Sequence, residues 1–130
     1  MILVVDDEPD ILALVRVLLE REGYSVIDAP NGKAALEVIG VDPHDPGAAR
    51  PDLVILDIMM PVMDGYTFNM RLQQNSETRH IPVIVLTAKG DKMRDLFEIA
   101  PNVNAYIQKP FEPKRLKELI AGILSGKNSA

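Results

Sequence analysis

Short, purely apolar runs alternate along this chain with longer stretches in which apolar residues recur at helical spacing. The clearest runs are residues 2–5, 53–56 and 83–86, and two weaker ones lie at 24–27 and 105–107. The first three lack polar alternation, which predicts strands covered on both faces. Pro9 suits a first helical position after Glu8. Ile11, Leu12, Leu14, Val15, Leu18 and Leu19 then follow at helical spacing up to Gly23, a natural stop. Asn31 can cap a second helix running through Ile39. A third is expected from near Asp64 and Gly65 to about Gln74, a fourth over roughly residues 92–100, ended by Pro101, and a fifth from about Pro113 to Leu124. No internal repeat is visible. Strand and helix in alternation predict βα units around a parallel sheet, with five strands and five helices.

The stretch from Gly40 to Pro51, GVDPHDPGAARP, breaks this rhythm. It is rich in Pro, Gly and Asp and long for a helix-to-strand connection. An extended surface loop is expected there. His44 with Asp42 and Asp45 would make a conceivable metal site, but a solvated loop is the simpler reading.

Composition narrows the class. A chain of 130 residues suggests one domain, and 47% apolar residues suffice for a real core at this length. The net charge is −5 with the acids spread along the chain, which argues against a nucleic-acid groove. Without cysteine there is no disulfide framework or thiolate metal site, as fits a reducing, cytoplasmic setting. No apolar run approaches a membrane span, and the start has no basic segment of the kind that opens a signal peptide.

One local feature demands chemistry. The first strand surfaces directly into Asp6, Asp7 and Glu8. At about 5 Å and an effective dielectric near 20, each like-charged pair costs roughly 3 kcal/mol. A metal cation is the first candidate to offset this. In an open parallel sheet, ligands bind beyond the carboxyl ends of the strands. Asp57 lies at such an end after the third run, Thr87 after the fourth and Lys109 after the fifth. Singly, each has a plain structural explanation as a turn, cap or surface residue. Together they place three carboxylates, a hydroxyl and an ammonium on one edge. Asp6, Asp7 and Asp57 form a hard-oxygen set suited to Mg²⁺. Asp57 can then act as a carboxylate nucleophile toward a phosphoryl group, with Thr87 and Lys109 contacting its oxygens.

The segments VVDDEPD, PDLVILDIMMPVMDG, IPVIVLTAK and AYIQKPF jointly resemble the receiver domain of bacterial two-component response regulators. The resemblance covers nearly the whole chain, with a receiver domain at 1–124 and a polar tail at 125–130. It implies a flavodoxin-like, doubly wound α/β fold with strand order 2-1-3-4-5. It further implies a phosphoacceptor signalling domain rather than an enzyme, with self-catalysed phosphotransfer and slow autodephosphorylation. The phosphoryl group would come to Asp57 from a sensor histidine kinase or a histidine phosphotransfer protein, with Mg²⁺ required. Asp7 would bind Mg²⁺ directly, Asp6 through water and Met59 through its carbonyl. Thr87 and Lys109 match the phosphoryl contacts. Tyr106 matches the aromatic switch residue, which alters the surface of the fourth helix, fifth strand and fifth helix for a downstream effector domain or protein. A cis Lys109–Pro110 peptide is implied as well. The long 40–51 loop and the APNVNAY turn depart from the family pattern.

Three other classes fit less well. A haloacid-dehalogenase-like phosphatase would place an acid where this chain has Met59. A dinucleotide-binding domain would need a Gly-rich turn after the first strand, where this chain has repelling acids. A pseudo-receiver would not retain Asp57, Thr87, Lys109 and the acid pair together. The kinase, the output and the choice between a stand-alone receiver and a piece of a longer regulator or hybrid kinase are not written in these residues.

Overall fold

The computed structural model describes residues 1–88 and 100–126. In chain order the elements are β1 (Ile2–Val5), α1 (Pro9–Arg21), β2 (Val26–Ala29), α2 (Gly32–Val38), β3 (Leu53–Asp57), α3 (Gly65–Gln74), β4 (Val83–Thr87), β5 (Val103–Gln108) and α4 (Pro113–Gly126). The five strands form one parallel sheet in the order β2-β1-β3-β4-β5, as expected. Four helices are present among the described residues rather than the five expected. The helix anticipated over 92–100 falls almost wholly outside them.

Side-chain alternation divides the core between the two faces of the sheet. Ile2, Val4, Leu53, Ile55, Ile84 and Leu86 pack against Val15 and Leu19 of α1 and Leu116 and Ile120 of α4. Leu3, Val5, Val54, Leu56, Val83 and Val85 pack against Ala35 and Leu36 of α2 and Phe68 and Leu72 of α3. Every residue of β1, β3 and β4 is buried, which is why those strands read as unbroken apolar runs.

Polar side chains fix two helix starts. Asn31 Oδ1 accepts the Ala34 N–H at 2.8 Å, and Asp64 Oδ1 accepts the Thr67 N–H at 2.7 Å. α1 differs: its N-cap residue, Glu8, makes no side-chain cap bond, and Pro9 supplies the preset first turn instead.

Three expected boundaries move. β2 begins at Val26, two residues late, because Gly23 and Tyr24 still donate backbone N–H bonds to Glu20 and Leu19 at the end of α1. β5 is longer than expected, from Val103 to Gln108, with an irregularity where Val83 faces Val103 and Ile84 faces Ala105. Exposed Asn104 and Gln108 hid the ends of this edge strand from an apolar pattern. α4 continues through Ser125 and Gly126, where the sequence predicts a polar tail.

The 40–51 stretch is a surface loop, yet it is tied down. Arg50 hydrogen-bonds the carbonyl oxygens of Ile39 and Ala48 and pairs with Glu77, and Arg71 on α3 pairs with Asp42 at 3.0 Å. The Asp42–Pro43 peptide is cis.

Candidate functional site

The parallel register brings the strand ends together. Val5 faces Leu56, so Asp6 continues β1 level with Asp57 at the end of β3. Thr87 closes β4 opposite Gln108 of β5, and the Lys109 N–H that follows donates to the Thr87 carbonyl oxygen at 2.7 Å. The Lys109–Pro110 peptide is cis, as the resemblance implies. Asp6, Asp57 and Thr87 are buried, whereas Asp7 and Glu8 stand in solvent.

Lys109 is the centre of this cluster. Its ammonium donates to Asp6 Oδ2 at 2.8 Å and to Glu8 Oε1 at 3.1 Å, and lies 3.5 Å from Asp57 Oδ1. The other Asp6 oxygen, Oδ1, accepts the Glu8 backbone N–H at 2.9 Å. Carboxylate repulsion, which the sequence assigned first to a metal, is here offset by a cation of the chain itself.

The balance remains strained for the acids. Burial, then the charge of Asp6, pushes the Asp57 carboxyl up to about 7, against the opposing pull of Lys109. Burial also raises Asp6, despite its hydrogen bonds from Lys109 and from the Glu8 backbone. Burial works against the Lys109 charge, but the hydrogen bond to Asp6 and the charge of Asp57 outweigh it and raise its pKa.

A divalent cation suits these donors. Carboxylate oxygens of Asp6, Asp7 and Glu8 lie within 4.8 Å of one another, the one such acid or histidine group among the described residues. They are hard oxygen ligands of the kind Mg²⁺ takes. Asp57 stands beside this group, across the Lys109 ammonium, rather than within it. Glu8 belongs to the acid run that calls for a cation, yet the resemblance assigns it no role. Its signal was available, since it follows the aspartate pair directly and sits at a helix N-cap, where glutamate is a poor capping residue. His44, Asp42 and Asp45 form no such group.

The turn between β3 and α3 presses closely on Asp57. The Gly65 N–H donates to the Ile58 carbonyl oxygen at 2.7 Å, and a Cβ at Gly65 would stand only 2.3 Å from the Asp57 carbonyl oxygen. Within this turn Met59 is 59% exposed, and Val62 has a left-handed backbone with φ 71°. Tyr106 pairs with Val85 in the register of β4 and β5. It is half-buried, packs against the cluster containing Val83 and Val85, and has its hydroxyl oxygen enclosed.

Comparison with known proteins extends this picture. A family model described as "Response regulator receiver domain" matches residues 2–121. Sensor histidine kinase TmoS of Ectopseudomonas mendocina is 36% identical over 126 residues, covering 97% of this chain and 12% of that protein. The phosphate regulon transcriptional regulatory protein PhoB of Pseudomonas aeruginosa is 37% identical over 123 residues, covering 95% of this chain and 51% of that protein. The chain thus spans about half or less of the length of these relatives. Among solved structures, the receiver domain of sensor histidine kinase PA1611 from Pseudomonas aeruginosa superposes with a TM-score of 0.81 at 26% identity, over 95% of this chain and 96% of that one. That crystal structure has a magnesium ion coordinated in its active-site cleft.

Proposed function

Since the chain belongs to the response regulator receiver domain family of two-component signalling, we propose that Asp57 is its phosphoacceptor. The single observation that carries this reading is the convergence of three strand ends on one ammonium: Lys109 contacts Asp6 at 2.8 Å and stands 3.5 Å from Asp57. A carboxylate so placed is level with the acid pair and faces a cation that can stabilise an added phosphoryl group.

In the proposed reaction an Asp57 Oδ attacks the phosphorus of a phosphohistidine on a sensor histidine kinase or histidine phosphotransfer protein. The Oδ–P bond forms as the P–N bond breaks, and the imidazole leaves with the electron pair. Asp57 must be ionised to attack, so its raised pKa holds part of the metal-free protein in an unreactive form near neutral pH. Asp6, Asp7, Asp57 and the Met59 carbonyl would hold Mg²⁺, which when bound supplies charge neutralisation for the transferring group. Lys109 pairs with one phosphoryl oxygen, and the Thr87 hydroxyl donates to another. Tyr106 responds to the movement of Thr87 and alters the surface around β5 and α4. A downstream effector domain or protein reads that surface. We extend the receiver unit from 1–124 to Gly126, where α4 ends, and assign a cytoplasmic setting. Among the described residues no helix is long and apolar enough to cross a membrane.

Acetyl phosphate with Mg²⁺ should add one acid-stable, base-labile phosphoryl group, detected by intact mass. Asp57→Asn should remove it. Labelling that persists in Asp57→Asn, or that maps to serine or threonine, would falsify the assignment.

A further inference from the structure

Glu8 occupies the N-cap of α1 yet does not cap it: its side chain makes no bond to the helix, and its Oε1 accepts from Lys109 at 3.1 Å. Its side chain is 58% exposed, while Asp6, the stronger partner of the same ammonium, is wholly buried. Both Asp6 oxygens are already engaged, Oδ1 by the Glu8 N–H and Oδ2 by Lys109. Each oxygen keeps a further lone pair, but a divalent cation approaching Asp6 repels the Lys109 ammonium held at Oδ2. Once displaced, that ammonium has two carboxylates within reach, Glu8 and Asp57. Asp57 is the group that must be free to react.

We infer that Glu8 is a positioning residue that receives the Lys109 ammonium when a divalent cation enters. It keeps Lys109 paired at the mouth of the site, away from Asp6, and ready to turn to a phosphoryl group on Asp57. The lysine has three N–H donors and a flexible four-carbon stem, so a shift between neighbouring acceptors needs no backbone movement. The exposed position of Glu8 suits the role. An acceptor in water holds the ammonium firmly enough to guide it and weakly enough to release it, as exposed ion pairs are worth little. α1 loses nothing by the arrangement, since Pro9 sets its first turn. The inference rests on the proposed Mg²⁺-dependent phosphoacceptor reading.

The experiment measures Mg²⁺ affinity by calorimetry in four proteins: the unmodified chain, Glu8→Gln, Lys109→Met and the double variant. Glu8→Gln should weaken binding about threefold to fivefold, the upper part of the range of one exposed ion pair. In the Lys109→Met background the same substitution should have at most half that effect on the logarithm of the affinity. An equal or larger effect there would show Glu8 acting as a ligand or as simple charge, and overturns the inference; so does unchanged affinity in Glu8→Gln. Absence of Mg²⁺ binding to the unmodified chain would instead overturn the site reading itself. A second measurement avoids the Lys109 variant and any fold defect it carries. With Mg²⁺ saturating, the Lys109 Nζ–Hζ cross-peak in ¹⁵N NMR should persist in the unmodified protein and be lost in Glu8→Gln. Its persistence in Glu8→Gln, or its loss in the unmodified protein, overturns the inference.

Discussion

The Lys109 ammonium donates a 2.8 Å hydrogen bond to the fully buried Asp6 carboxylate, joining the end of β5 to the end of β1 across 103 residues of sequence. Removing one partner of such a pair leaves the other charge buried without compensation. Lys109→Met should therefore lower the stability of the metal-free protein by about 1–3 kcal/mol. Urea denaturation in EDTA measures this, and an unchanged midpoint would show that the pair contributes nothing to the fold.

The Asp57 carboxyl contributes a pH dependence to the stability of the metal-free protein. Its native pKa, raised from 3.8 to about 7 by burial and by the charge of Asp6, exceeds its unfolded value. The native state thus binds the proton more tightly than the unfolded chain. The resulting stability is fully present below about pH 4 and is lost as pH rises through about 7. Asp57→Asn should flatten this dependence and stabilise the protein at pH 8 in EDTA by about 1–3 kcal/mol. If Asp57→Asn and the unmodified protein keep the same difference in melting temperature at pH 5 and pH 8, Asp57 is not the group responsible.

Mg²⁺ should stabilise the folded chain, because the assembled carboxylates exist only there. At ten times the dissociation constant the linkage amounts to about 1.4 kcal/mol. Thermal melts with and without Mg²⁺ should separate accordingly, and Asp7→Ala should close the gap. Coincident melts of the unmodified protein at saturating Mg²⁺ would count against a cation at these acids.

Gly65 sets the depth of Asp57 through backbone contact. A methyl group there meets the Asp57 carbonyl oxygen at 2.3 Å and the Ile58 Cα at 2.9 Å, both main-chain atoms that cannot turn aside. Gly65→Ala should cost about 1–3 kcal/mol of stability. It should also slow acetyl phosphate labelling of Asp57 at temperatures where the variant is fully folded by circular dichroism. Normal labelling in a folded Gly65→Ala protein would mean that the start of α3 does not position the acceptor.

Coupling from Thr87 to Tyr106 is open to a direct test. With Tyr106 half-buried and its hydroxyl enclosed, a change behind β4 must alter the packing of the ring. Beryllofluoride with Mg²⁺ should shift the Tyr106 ring resonances in the unmodified protein and shift them far less in Thr87→Ala. Equal shifts in the two proteins would place the coupling on another route.

Much of this is legible in the sequence alone. The unbroken apolar runs of β1, β3 and β4, the cap at Asn31, the helix start near Asp64 and Gly65, and Pro9 opening α1 are local signals, and the elements formed where those signals lie. β5 was harder, because an edge strand with exposed Asn104 and Gln108 needs no apolar run. The start of β2 was misplaced because the C-terminal turn of α1 claims Gly23 and Tyr24 through backbone bonds that side-chain pattern does not encode.

For the site, the sequence by itself determined which residues close the strands, because strand ends follow from hydrophobic patterning and ligands gather at the carboxyl edge of a parallel sheet, while the strand order came only through the resemblance to receiver domains. What only the tertiary structure decided was which charges meet. Glu8 and Lys109 lie 101 residues apart, and whether an ammonium answers Asp6, Glu8, Asp57 or a metal depends on distances of a few ångströms and on which carboxylates are shut off from water. Coulomb interaction falls with separation and rises with burial, and neither quantity exists until the strands are packed side by side.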